Sequence, residues 1–211
     1  MNPTDSRRIL LDIIYKYANP SGFKIPQQIS YSKKKILQKM IIGIGGVSRS
    51  GKTNLAFLIK ALAQQRGETA LVLSQDDFVF EENKIPKIRH RTDWECPESI
   101  DFQRYKKEII HQKTQYQHVI TEGLLNFWNA DIDALFDKRL FTTIKKDIFF
   151  SRRLQEKRWG FEPKWFLEHV WRSYLKYGKT ILDEPQKGVL LLSGNEDFDT
   201  TLIRNFLGWT T

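Results

Sequence analysis

The nine residues GGVSRSGKT, Gly45 to Thr53, constrain this 211-residue chain more than any other stretch. From Gly46 onward they fit the spacing G-x-x-x-x-G-K-[ST]. An apolar run, Met40 to Gly45, precedes the motif. A helical pattern, Lys52 to Arg66, follows it with Leu55, Ile59 and Leu62 on one face, and Gly67 then supplies a stop. Strand, glycine turn and helix in that order make a phosphate cradle. Glycines let backbone N–H groups turn onto phosphate oxygens, and the helix N-terminus adds partial positive charge. The cradle residues are Gly46, Val47, Ser48, Arg49, Ser50, Gly51, Lys52, Thr53 and Asn54. Lys52 is expected to reach the β- and γ-phosphates, and the Thr53 hydroxyl to ligate Mg²⁺.

Four further apolar runs read as strands: Thr69 to Ser74, His118 to Gly123, Arg139 to Ile144 and Gly188 to Ser193. They are continuous rather than alternating, as strands buried on both faces are. Helical patterns fall between and after them, at Pro97 to Gln112, Lys145 to Lys157, Lys164 to Tyr177 and Asp197 to Leu207. The alternation predicts an α/β fold of the P-loop NTPase type, with a five-stranded parallel sheet flanked by helices. The first 39 residues stand apart as a helical extension, with Ile9, Leu10, Ile13, Ile14 and Tyr17 on one face. Residues 40–211 form the expected P-loop domain.

Composition removes several function classes. A single cysteine, Cys96, excludes an internal disulfide and a thiolate metal cage, and the four histidines lack paired metal spacing. No apolar run is long enough for a membrane span and no secretion signal is read, so a cytosolic location is expected. A net charge of +9 suits a polyanionic partner, either nucleic acid or a small molecule such as ATP, or simply a basic solvated surface.

The motif alone does not say where the phosphate goes. A GTPase needs N-K-x-D, and the Asn-Lys pair here is followed by Ile-Pro; no LSGGQ transporter signature occurs. Instead the second strand ends in SQDDF, Ser74 to Phe78, and the third in ITEGLL, Ile120 to Leu125. Ligands of such sheets sit at the carboxyl ends of the strands. Asp76 and Asp77 therefore project toward the γ-phosphate, where a kinase needs a carboxylate to deprotonate its acceptor; a turn or cap aspartate is the bland alternative. Glu122 takes the position of an acid that holds Mg²⁺ or its water.

These stretches, with HVWRSYLKY at His169 to Tyr177, resemble the uridine kinase and nicotinamide riboside kinase family from about Met40 to the C-terminus. The resemblance implies transfer of a phosphoryl group from ATP, with Mg²⁺, to the 5′-hydroxyl of a ribonucleoside, and a helical lid over the sheet. It assigns Asp76 as base, Lys52 and Thr53 to the phosphates and metal, and Glu122 as the acid after the third strand. Within RTDWECPESID, Arg91 to Asp101, it assigns Trp94 to flank the nucleobase and Glu95 to grip ribose hydroxyls, with Asp93 as substitute. The family's usual acid is Asp, so Glu95 departs by one methylene. The lid falls at residues 150–163, where Arg152, Arg153 and Arg158 are candidates to meet the transferred phosphoryl.

Other readings stay open. The acceptor could be pantothenate or another small alcohol. A nucleotide-binding regulator or a nucleic-acid-associated ATPase is the reading from another class, although nucleic acid is disfavoured because the acids sit at strand ends. A homo-oligomer is left open. His90 and Arg91 read as surface loop residues, His169 as a packed or lid histidine, and Trp128, Trp165 and Trp171 as packing. Lys145 and Lys146 read as solvated. An Arg152–Glu156 pair at i, i+4 is the plain alternative to a phosphate role for Arg152.

Overall fold

The computed structural model describes residues 39–156, 160 and 162–209. The expected helix of the first 39 residues therefore lies outside the described residues, apart from Lys39. So does Arg158.

In chain order the elements are β1 (Met40–Gly46), α1 (Lys52–Gln65), β2 (Ala70–Ser74), β3 (Lys87–Ile88), β4 (Arg91–Thr92), α2 (Phe102–Gln115), β5 (His118–Glu122), α3 (Ala130–Asp133), β6 (Lys138–Thr143), α4 (Lys146–Leu154), α5 (Lys164–Ser173), β7 (Val189–Ser193) and α6 (Thr200–Leu207). Five strands form one parallel sheet in the order β2-β5-β1-β6-β7. All five predicted strands are present, each within a residue of its expected start.

Alternation along β1 feeds two cores. Met40, Ile42 and Ile44 join Leu55, Ile59, Leu62 and Trp209 on one face. Ile41 joins Tyr105, Phe127, Phe136, Phe141 and Phe149 on the other. Gly43 leaves room for those rings: a Cβ there would lie 2.7 Å from Phe136 and 2.8 Å from Phe127. β1 is the central strand of the sheet, paired with β5 on one side and β6 on the other.

The carboxyl ends of β1, β2 and β5 are in register. Ile44 pairs with Glu122, and Glu122 with Ser74, so the ends of all three strands meet on one edge. At the opposite ends of the strands a clasp ties the start of β5 to Trp209. Arg66 forks onto Glu68 at 3.0 and 2.9 Å, Glu68 meets His118 at 2.9 Å, and Arg66 also lies over the buried Trp209 ring.

Candidate active site

The turn from β1 into α1 has the backbone a phosphate cradle requires. Gly46 takes φ 144° and Gly51 φ 91°, values that favour glycine. A Cβ on Gly46 would run into Thr142. Thr142 and Ser50 share a buried hydrogen bond of 2.5 Å, which fixes the underside of the loop to β6. α1 begins without a side-chain cap, so its first N–H groups face the loop, and Asn54 is exposed on that turn. Lys52 folds over the loop and donates to the Val47 carbonyl at 3.1 Å. Arg49 sits at φ 66° on the loop's outer bend and pairs with Glu156 at 2.7 Å.

Beside the cradle, Thr53 and Ser74 both donate to Glu122 Oε1, at 3.1 and 3.0 Å. Three oxygen-bearing side chains from α1, β2 and β5 thus meet next to Lys52. Hard oxygen donors around one carboxylate suit Mg²⁺. Gln75 braces this corner. Its Oε1 accepts the Leu125 N–H at 2.9 Å, and its side chain lies where a Cβ on Gly123 would fall.

Asp76 and Asp77 are the two exposed residues of the turn Gln75–Phe78 directly after β2, whose end residues Gln75 and Phe78 are buried. That turn is latched to α2. Arg104 donates to the Asp77 carbonyl at 2.6 Å, and Asp101 N–H donates to the Phe78 carbonyl at 2.8 Å. Asp101 in turn caps α2 by accepting from Arg104 N.

The stretch after β4 forms the other wall. Asp93 Oδ1 accepts from its own loop at Glu95 N, 3.2 Å, and pairs with His169 Nε2 at 2.8 Å. Asp93 is therefore occupied in shaping the loop. Trp94, beside it, is 41% exposed, while the Glu95 side chain is only 14% exposed. Burial pushes the Glu95 carboxyl up to about 7; Arg153 and Lys52 oppose the shift, and the charges of Asp76 and Asp93 add to it. Glu95 lies 4.0 Å from Arg153, which also reaches Ser48 at 2.6 Å, so the stretch after β4 and the cradle share one guanidinium.

Arg153 and Arg152 are neighbours with different surroundings. Arg153 forks onto Glu162 at 2.6 and 2.9 Å, donates to Ser48 Oγ at 2.6 Å and lies 4.0 Å from Glu95. Arg152 donates through Nη1 to the backbone carbonyls of Arg49, 3.0 Å, and Gly194, 2.8 Å. The alternative i, i+4 pairing of Arg152 with Glu156 gives way to the Arg49–Glu156 bridge. Within residues 150–163 helix continues to Leu154.

Several contributors were not legible beforehand. Thr142, Gly194 and Phe198, whose ring would lie 3.2 Å from a Cβ on Gly51, reach the cradle through space, and Ser74 reaches the strand-end acid Glu122. His169, read as a packed or lid histidine, is a polar support for Asp93 as well as a neighbour of the Phe166 ring. His90 meets Trp165 edge-on and Arg91 lies over Phe166, so both serve ring contacts. Trp171 packs on Phe149 and Tyr174 as expected. Lys146 is less free than expected, pairing with Glu168 at 2.8 Å.

Sheet order, cradle and strand-end acid define a P-loop NTPase fold. Comparison with known proteins narrows the kinship. No family model matches the chain. The chain is 29% identical over 164 residues to nicotinamide riboside kinase 1 of Homo sapiens, covering 70% of this chain and 80% of that protein. It is 25% identical over 193 residues to the nicotinamide riboside kinase of Saccharomyces cerevisiae, covering 68% and 77%. It is 27% identical over 146 residues to the uridine kinase of Lactobacillus helveticus, covering 57% and 69%. A solved structure described as a possible uridine kinase from Bacillus stearothermophilus aligns with a TM-score of 0.49 at 16% identity, over 89% of this chain and 100% of that one. The phosphotransferases the chain is similar to are the nicotinamide riboside kinases and uridine kinases.

Proposed function

We propose that the chain is an ATP- and Mg²⁺-dependent kinase acting on the 5′-hydroxyl of a ribonucleoside. One observation carries the reading: the sheltered acid Glu95, on the expected acceptor side, lies 4.0 Å from Arg153, whose Nη1 donates to Ser48 of the cradle at 2.6 Å. A regulator that only holds a nucleotide has no need of a second acidic wall facing the phosphates.

In this reading the cradle and Lys52 hold the triphosphate. Thr53 and Glu122 hold the metal, with Ser74 keeping Glu122 in place; Mg²⁺, when bound, neutralises charge on the phosphates. Trp94 flanks the nucleobase and Glu95 the ribose. Asp76 accepts the proton of the 5′-hydroxyl as its oxygen bonds to the γ-phosphorus. The bond from that phosphorus to the bridging oxygen breaks, and ADP leaves with the electron pair. Positioning and electrostatics supply most of the rate in such transfers. The lid that the resemblance implies falls at residues 150–163, of which 157–159 and 161 lie outside the described residues.

The test is ADP release over a panel of uridine, cytidine, nicotinamide riboside and pantothenate. Release stimulated by a nucleoside supports the reading. Stimulation by pantothenate alone moves the acceptor to another alcohol, and equal release with and without every acceptor refutes the kinase.

A further inference from the structure

The Arg153 side chain has an unusual set of neighbours for a residue expected to meet the transferred phosphoryl. Its Nε and Nη2 are both taken up by the Glu162 carboxylate, the fork a guanidinium would otherwise offer to a phosphate. Its Nη1 reaches Ser48, a residue in the middle of the phosphate loop, 105 positions earlier in the chain. Its Nη2 also faces Glu95 Oε1 at 4.0 Å. All of this is sheltered: side-chain exposure is 10% for Arg153, 14% for Glu95 and 8% for Glu162. The Glu162 bond and the nearby acids hold the Arg153 guanidinium firmly protonated despite burial, so its charge is constant.

We propose that Arg153 is a positioning residue that ties the acceptor-side acid Glu95 to Ser48 of the phosphate loop, so that events at one half of the site change affinity at the other. This rests on the reading of Glu95 as an acceptor residue. A planar guanidinium anchored by Glu162 cannot shift toward Glu95 without changing its bond to Ser48. Ser48 carries one of the backbone N–H groups available to the phosphates, so its position matters to nucleotide binding. The link is reciprocal by thermodynamic necessity: whatever Glu95 does to nucleotide affinity, nucleotide does to the state of Glu95. The near-neutral titration of Glu95 supports the proposal, because its charge is easily altered by a ligand.

The experiment is a double-mutant cycle read by calorimetric titration with the Mg²⁺ complex of a non-hydrolysable ATP analogue, with no acceptor present. Glu95→Gln, Ser48→Ala, Arg153→Lys and the Glu95→Gln combinations are each checked for folding by urea denaturation. Arg153→Ala is avoided because it would strand Glu162 in a buried position. Glu95→Gln is expected to change the analogue's Kd by roughly fivefold, the lower end of ordinary coupling between sites. In a Ser48→Ala or Arg153→Lys background the same substitution is expected to change it by less than about twofold. An unchanged Kd in Glu95→Gln overturns the tie, and so does a full shift that persists without Ser48 or Arg153. If the cycle shows coupling while no nucleoside is phosphorylated, the tie stands and the acceptor assignment falls. Lack of analogue binding to the wild-type chain would refute both.

Discussion

The Thr53 hydroxyl donates to Glu122 Oε1 at 3.1 Å, joining the first turn of α1 to the last residue of β5. The bond spans 69 positions and makes the cradle and the strand-end acid a single unit. Thr53→Ala and Glu122→Gln should therefore fail in the same way, through the metal. Each is expected to weaken Mg²⁺-dependent nucleotide binding by about tenfold or more, while metal-free ADP binding changes little. Titrations with and without Mg²⁺ check this.

Glu95 should make the fold sensitive to neutral pH. Its carboxyl is raised by burial to about 7 from an ordinary 4.5. Between those values the folded chain holds a proton that the unfolded chain has lost, so stability falls as pH rises through that window. The loss is at most about 3 kcal/mol at pH 8. Glu95→Gln removes the penalty, and its melting temperature should exceed that of the wild type at pH 8 but not at pH 5.

Arg66, Glu68 and His118 should matter to stability and not to chemistry. Burial pushes the Glu68 carboxyl up, but its bonds to Arg66 and His118 win and hold it below the usual range. Stability from this group is present above about pH 4.5 and is lost as pH falls through the lowered value. Glu68→Ala leaves the partners uncompensated and should cost about 3 kcal/mol in urea unfolding at pH 7.

Cys96 should be inert. Burial pushes its thiol up to about 12, with Asp93 and Glu98 adding to the shift, and its Sγ donates to the Asp93 carbonyl at 3.2 Å. Thiol titration of the native protein should detect almost none, and titration in denaturant one per chain.

The sheet was legible because strands buried on both faces are continuous apolar runs, and all five announced themselves. The cradle was legible because its chemistry lies within one local stretch. Elements too short for a period were missed: the hairpin of β3 and β4, and α3. The arginines were singled out, but their partners were not legible. Residue type marks Arg152 and Arg153 as anion-seeking, yet Arg152 binds two backbone carbonyls and Arg153 two carboxylates and a serine. Those partners lie up to 105 positions away, and no local pattern encodes them. His169 was undervalued for the same reason, its partner Asp93 being 76 positions off.

Asp76 offers the most direct test of the central claim. Acceptor-stimulated ADP formation and nucleotide affinity are measured side by side in the wild type and in Asp76→Asn. The kinase reading predicts at least a hundredfold loss of kcat in the variant, with nucleotide Kd within about threefold of the wild type. Full acceptor-stimulated turnover in Asp76→Asn would contradict the assignment of the base, and absence of any acceptor stimulation in the wild type would contradict the function itself.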